Sequence, residues 1–274
     1  MKTSDDTRLK DAVRAFWDEA SCGEVYAVGD SERERLDNQE AARYALEPYI
    51  FEFARFDEGR DRDVLEIGVG MGADHLQWAR ARPRSLSGVD LTPRAIAHCR
   101  DRLAQRGLHS ELKVGDAEAL PFEAASFDIV YSWGVLHHSP DTPAAIREVH
   151  RVLRAGGEAR IMVYHTWAIV GYMLWVRYAL LALRPWRSLR SIYAEHLESP
   201  GTKAYSADEA RQLFSMFSEV EVSSQLSVGD LMEGAAGQRH GGPLLRLARR
   251  VWPRAIIRRV LPGQGLFLLI TARK

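Results

Sequence analysis

Val64-Leu65-Glu66-Ile67-Gly68-Val69-Gly70-Met71-Gly72-Ala73-Asp74 decides how the rest of the chain is read. It opens on a short apolar run of the kind a buried strand needs. Three alternating glycines follow, and then a helical apolar spacing at Ala73, Leu76, Trp78 and Ala79. The stretch therefore predicts a strand, a tight turn and a helix start in succession. Glycines suit that turn because the backbone must bend sharply and let a ligand approach closely. The free N–H groups and positive dipole end of the helix favour a negatively charged ligand group there. Gly68, Gly70 and Ala73 also satisfy the dinucleotide fingerprint, and Asp90 lies where a ribose-binding acid is expected. The loop points to a cofactor that contains a nucleoside, and its surroundings must say which.

Outward from this stretch, strands and helices alternate. Asp63–Gly68, Ser85–Asp90, Leu112–Gly115, Phe127–Ser132 and Ala159–Tyr164 read as strands. Thr92 is a good N-cap and Pro93 a good first helical residue, with Ala95, Ile96, Cys99 and Leu103 as the buried stripe. Ser139-Pro140 or Thr142-Pro143 starts the helix before the fifth strand, and Gly156-Gly157 closes it. Such alternation predicts a mostly parallel sheet with helices on both faces. Ahead of it, residues 8–20 and 32–57 read as helices, with Pro48 threatening a break in the second. Trp17 and Tyr26 are placed either in a ligand pocket or in the core, and core packing is preferred for Trp17. After His165, Trp167–Leu183 is apolar except for Arg177. That run is short for a bilayer span, and the arginine argues further against one.

The bulk properties narrow the class. The chain has 274 residues and a formal net charge of zero, so no global affinity for nucleic acid is indicated. Charge is unevenly placed: no acidic residue follows Glu233, while Arg239, Arg246, Arg249, Arg250, Arg254, Arg258, Arg259, Arg273 and Lys274 do. The arginines from Arg246 to Arg259 read as a solvated face, or as a surface for an anionic group or a membrane. Two cysteines, Cys22 and Cys99, cannot build a disulfide framework or a zinc site. The polar start, Met1 to Lys10, lacks the apolar core of a signal peptide, so the cytoplasm is the expected compartment.

Ligands of open parallel sheets bind at the carboxyl ends of the strands. Those ends carry Gly68–Gly72, Asp90-Leu91, Gly115-Asp116-Ala117-Glu118 and Ser132-Trp133-Gly134-Val135-Leu136-His137-His138. So acidic a rim repels a diphosphate. It suits an adenosine that carries a sulfonium, whose ribose hydroxyls and adenine amine are donors.

In order and spacing, Val64–Asp74, Gly88-Val89-Asp90, Gly115–Phe122, Phe127-Asp128-Ile129-Val130, Gly134–His138 and Arg147–Gly157 resemble the motifs of class I S-adenosylmethionine-dependent methyltransferases. They most resemble the quinone-biosynthesis-like, small-molecule branch (methyltransferase type 11). The resemblance is strong over residues 60–165 and weak over the last two strands. It implies a Rossmann-like α/β fold, with a mostly parallel seven-stranded sheet and an antiparallel last strand. It also implies S-adenosyl-L-methionine as cofactor. Gly68, Gly70 and Gly72 would shape the loop around the methionine moiety, with Met71 and Leu91 beside the cofactor. Asp90 would hold the ribose, Asp116 and Ala117 the adenine, and Trp133 would sit near the sulfur. Glu66 would order the loop. No metal is expected.

The family has no universal base, so none carries over. His138 and His165 follow strands four and five at the correct edge, and a neutral imidazole is a competent base near neutral pH. The bland alternative makes both ordinary loop residues. No Asn-Pro-Pro-Tyr-type signature follows strand four, which favours a small-molecule acceptor over nucleic acid or protein amide. The domain reading is a helical cap at 1–59, a cofactor-binding core at 60–165, an apolar substrate lid at 166–206 and the end of the core at 207–274, with a basic insert at 231–263. Two competing functions stay open: an NAD-dependent oxidoreductase sharing the glycine loop, and a non-catalytic cofactor-binding module.

Overall fold

One sheet holds β1 (Asp63–Ile67), β2 (Ser85–Asp90), β3 (Glu111–Val114), β4 (Phe127–Trp133), β5 (Leu153–Tyr164), β6 (Glu219–Gln225) and β7 (Phe267–Arg273), in the order β3-β2-β1-β4-β5-β7-β6. The computed structural model describes residues 4–233, 250 and 252–274. Strands β1 to β5 pair in parallel, and β7 runs antiparallel to its neighbours β5 and β6, as expected. β1 is buried along its whole length because both faces are covered. Leu65 and Ile67 join one core cluster with Val130, Leu136 and Ile146. Val64 turns to the other face, with Leu76, Trp78 and Ile129. Each of these large side chains contributes about 1.5–3 kcal/mol by leaving water.

Helices α4 (Ala73–Arg80), α5 (Pro93–Ala104) and α6 (Thr142–Val152) cover the sheet. Thr92 caps α5, its hydroxyl accepting from the Ala95 amide. Asp141 caps α6 by accepting from the Ala144 amide, so the second of the two expected starts is used. Two local expectations fail. Gly156-Gly157 does not close α6, which ends at Val152; both glycines lie in the irregular start of β5, where the register against β4 shifts. A Cβ on Gly157 would lie 3.1 Å from the Asp128 carbonyl oxygen, so it is close backbone approach that favours glycine there. The single helix over 32–57 is instead α2 (Glu32–Leu46) and α3 (Tyr49–Ala54). Pro48 between them has no N–H to continue the ladder.

Before the sheet, α1 (Ser4–Glu19) lies ahead of α2. After β5 come α7 (Ile169–Trp175), continued by a π-turn over Val176–Leu180, then α8 (Leu189–His196) and α9 (Ala207–Leu213). No helix among the described residues is long and apolar enough to cross a membrane. The expected insert 231–263 and its basic segment Leu244–Val260 lie partly outside the described residues, which leave out 234–249 and 251. Within them, α10 (Arg254–Val260) is seen, packed through Ile257.

Candidate functional site

A cavity of about 1120 Å³ opens at the carboxyl ends of β1 to β5. The loop after β1 forms part of its wall. Gly68 has φ +82°, and a Cβ there would lie 2.1 Å from a Val135 methyl, so only glycine fits. Gly70, at φ +50°, faces open space, where a side chain would take ligand volume. Met71, Leu91, Ala117 and Trp133 also line the cavity, as do Glu66, Asp90 and Asp116. Gly72 does not. A Cβ on it would lie 2.9 Å from the Cys99 Cα, so its smallness serves the packing of α4 against α5.

Asp90 is fixed by its neighbours. Its Oδ1 accepts from the Thr92 amide at 2.9 Å and the Thr92 hydroxyl at 3.0 Å, and its Oδ2 accepts from the Gly70 amide at 3.1 Å. Burial pushes its carboxyl above the usual range, against the pull of these bonds. Each oxygen retains acceptor capacity for a hydroxyl. Asp116 accepts from the Glu118 amide at 2.9 Å and, through Oδ2, from Lys10 of α1 at 2.5 Å. The cap thus reaches the oxygen that an adenine amine would share.

Glu66 is buried and tied to a group that the sequence reading missed. Its Oε2 lies 2.9 Å from His75 Nδ1, and His75 Nε2 lies 2.8 Å from the Ser110 hydroxyl. Ser110 in turn donates to the Leu86 carbonyl at 2.8 Å. Since that hydroxyl proton is used, Nε2 must be the donor to Ser110. A neutral His75 then offers Nδ1 as a lone pair, and the remaining proton sits on Glu66. Burial favours this neutral pair: it pushes the Glu66 carboxyl well up and the His75 imidazole down to about 3. Gly88 makes room, because a Cβ there would lie 2.8 Å from the His75 ring. The signal in the sequence was His75 on the buried face of α4.

An ionised centre, unlike the neutral pair, clamps the cap to the core. Asp74 accepts from Arg43 of α2 through both oxygens, and from the hydroxyls of Tyr44 at 2.9 Å and Tyr131 at 2.8 Å. Burial opposes its charge, but Arg43 and the two hydroxyls hold its carboxyl below the usual range. Removing one partner of such a buried pair costs about 3–5 kcal/mol.

At the other end of the cavity the lining turns apolar. Trp17, Tyr172, Met173, Val176 and Leu197 contribute. Trp17 therefore faces the cavity and not only the core, and Tyr26 does too. Trp175 and Tyr178 do not line it. The Trp175 indole donates to the Arg187 carbonyl at 2.9 Å, and the Tyr178 ring stacks on His196. Cys22 is exposed and opens onto the cavity.

Of the two candidate imidazoles, only His138 lines the cavity. Its Nδ1 lies 2.8 Å from the Ser199 hydroxyl and 3.1 Å from that of Thr202. Thr202 donates its own proton to the Ser199 carbonyl at 2.7 Å, so it can only accept from the ring. An Nδ1–H tautomer meets that demand and leaves Nε2 as a lone pair, 3.4 Å from Glu198 Oε2. Tyr164 donates to the same carboxylate oxygen at 2.6 Å. His137, His138 and Glu198 bring ligating atoms within 4.8 Å of one another. Glu198 was not foreseen, because it comes from the segment after α8, far from His138 in sequence. His165 is buried, with Nδ1 3.1 Å from the Gly265 carbonyl oxygen, and takes no part in the cavity wall.

Residues 64–157 match a family model described as a methyltransferase domain. Over 95 residues the chain is 42% identical to a phthiotriol/phenolphthiotriol dimycocerosates methyltransferase of Mycobacterium leprae, covering 34% of each chain. Over 122 residues it is 38% identical to a fatty-acid O-methyltransferase of Mycolicibacterium smegmatis, covering 44% of this chain and 43% of that one. The matches thus span well under half the length of these relatives. An S-adenosylmethionine-dependent methyltransferase from Mesorhizobium loti shares the fold, with a TM-score of 0.55 at 18% identity over 87% of this chain and 100% of that one.

Proposed function

We propose that the chain moves a methyl group from S-adenosyl-L-methionine to a small, partly apolar organic acceptor, a reading supported by the match of residues 64–157 to a methyltransferase domain. One observation carries this reading: a single cavity joins an acid-rimmed glycine loop to an apolar wall. The donor set fits the cofactor. Asp90 has spare lone pairs for ribose hydroxyls, Asp116 lines the cavity where an adenine amine would reach it, and Gly70 leaves the loop open. When bound, the cofactor supplies an electrophilic methyl group on a sulfonium.

The chain's own task is to align the acceptor with that methyl, to exclude water and to take a proton if the acceptor must lose one. Trp133 sits between the two ends, in contact with Tyr49 and Phe267 and with the Arg43 guanidinium over its ring. His138 lines the cavity with its Nε2 buried beside Glu198, and it takes the proton of a hydroxyl or ammonium acceptor that displaces Glu198 from that nitrogen. The oxidoreductase alternative does not account for an acid at Asp116 or for the domain match.

Calorimetry tests the reading. S-adenosylhomocysteine should bind and NAD should not. Asp90→Ala should weaken binding by about 1.5–3 kcal/mol, the loss of hydrogen bonds to a charged acceptor. NAD binding in place of S-adenosylhomocysteine would overturn the proposal. Turnover of any acceptor removes the non-catalytic alternative.

A further inference from the structure

The helix after β5 breaks the pattern of a surface helix. Its inward residues Ile169, Leu174 and Ala179 are buried, so its outward stripe should be polar. Instead Tyr172, Val176 and Leu180 recur at helical spacing and are 39%, 41% and 46% exposed, and Leu183, in the turn that follows, is 82% exposed. Leu181 and Trp186 extend the same exposed segment. Tyr172, Val176 and Leu181 also line the cavity, so this apolar surface is the cavity's rim.

The neighbouring element repeats the pattern. Ile257 and Trp252 pack in one cluster with Ile169 and Met173, which sets α10 beside α7. Beside Ile257, α10 exposes Ile256 and Val260, four residues apart on one stripe, with Arg259 between them in sequence. Charge is one-sided as well. No acidic residue occurs from Thr166 to Ala194, or after Glu233. Arg184 and Arg259 are exposed and make no ion pair among the described residues. Large apolar side chains, tryptophan and arginines without an ion pair among the described residues, gathered on these two neighbouring segments, form the composition of an interfacial binder. Ile169–Leu180 is about 18 Å long at 1.5 Å per residue, too short for a hydrocarbon core of about 30 Å. It can only lie along a surface.

We propose that this face docks on an anionic lipid bilayer, with the apolar stripe in the headgroup layer and the arginines on lipid phosphates. The cavity mouth then opens onto the lipid, from which a lipophilic acceptor enters. The entry of acceptor rests on the methyl-transfer reading; the docking does not.

The test is flotation of the full chain with vesicles of phosphatidylcholine alone and of phosphatidylcholine mixed with phosphatidylglycerol. Binding to the mixed vesicles is expected, weakening as salt rises. The double variant Leu180→Ser, Leu183→Ser and the double variant Arg184→Gln, Arg259→Gln should each lower partition at least about tenfold. Both should bind S-adenosylhomocysteine like the parent, which shows that they fold. No flotation of the parent would overturn the proposal. So would unchanged flotation of both variants, which would put the lipid contact elsewhere. A parent that is dimeric and made monomeric by the leucine variant would also overturn it, because the face would then be an interface between copies. If the chain floats but does not bind S-adenosylhomocysteine, docking stands and the cofactor reading falls.

Discussion

Glu66 separates two ways in which a carboxyl can serve a cofactor loop. If it is the neutral donor to His75 Nδ1, as the Ser110 and Leu86 bonds require, glutamine can replace it. Glu66→Gln should then change S-adenosylhomocysteine affinity less than about threefold, whereas loss of an ionised partner to the ligand amine would cost tenfold or more. The sequence marked Glu66 but not its proton, because that depends on His75 and Ser110 from other elements. His138 and His165 looked equivalent by the same reasoning, both placed just after a strand. Only the folded chain separates them, through Ser199, Thr202 and Glu198 around one and the Gly265 carbonyl beside the other. With an acceptor that must lose a proton, His138→Ala should lower turnover by about a hundredfold, and His165→Ala should not. That turnover should survive exhaustive metal chelation. Activity lost to chelator and restored by a divalent ion would make His138 a ligand, alongside His137 and Glu198, and not a base.

At the level of elements, the insert after β5 is where sequence and structure part most. Its apolar content was plain, but its direction was not. Trp175 and Tyr178, the obvious large side chains, face the insert's own interior. Tyr172 and Met173 face the cavity. Helical spacing alone could not tell these faces apart, because apolar residues run all round the helix and the π-turn shifts the phase. Tyr172→Ala with Met173→Ala should raise the acceptor KM by tenfold or more, since about 1.5 kcal/mol of burial is lost per side chain. Cofactor affinity should hold. Unchanged acceptor kinetics would make the insert scaffold. The elements that were legible, β2 and the start of α5 above all, carry their own local signals in Thr92 and Pro93.

Across the whole molecule, the parallel run of β1 to β5 followed from alternation, while Val220–Leu226 and Gly265–Ala272 read only as strand-like and the antiparallel last strand was expected only through family resemblance. The reason is topological: β6 and β7 are separated by a long segment, and nothing local says that the later strand enters between β5 and β6. That placement has a consequence for synthesis. Among the described residues β6 pairs with β7 alone, and β5 depends on β7 for its second edge. As the chain leaves the ribosome, β6 has no partner until Phe267–Arg273 has emerged, while β5 shows an apolar, open edge. Nascent chains arrested before Phe267 should therefore resist protease over β1–β4 and be cut around β6. Chains released past Arg273 should lose that sensitivity, so the last strand acts as the bolt of the sheet and the interval before it as the window in which chaperones matter most.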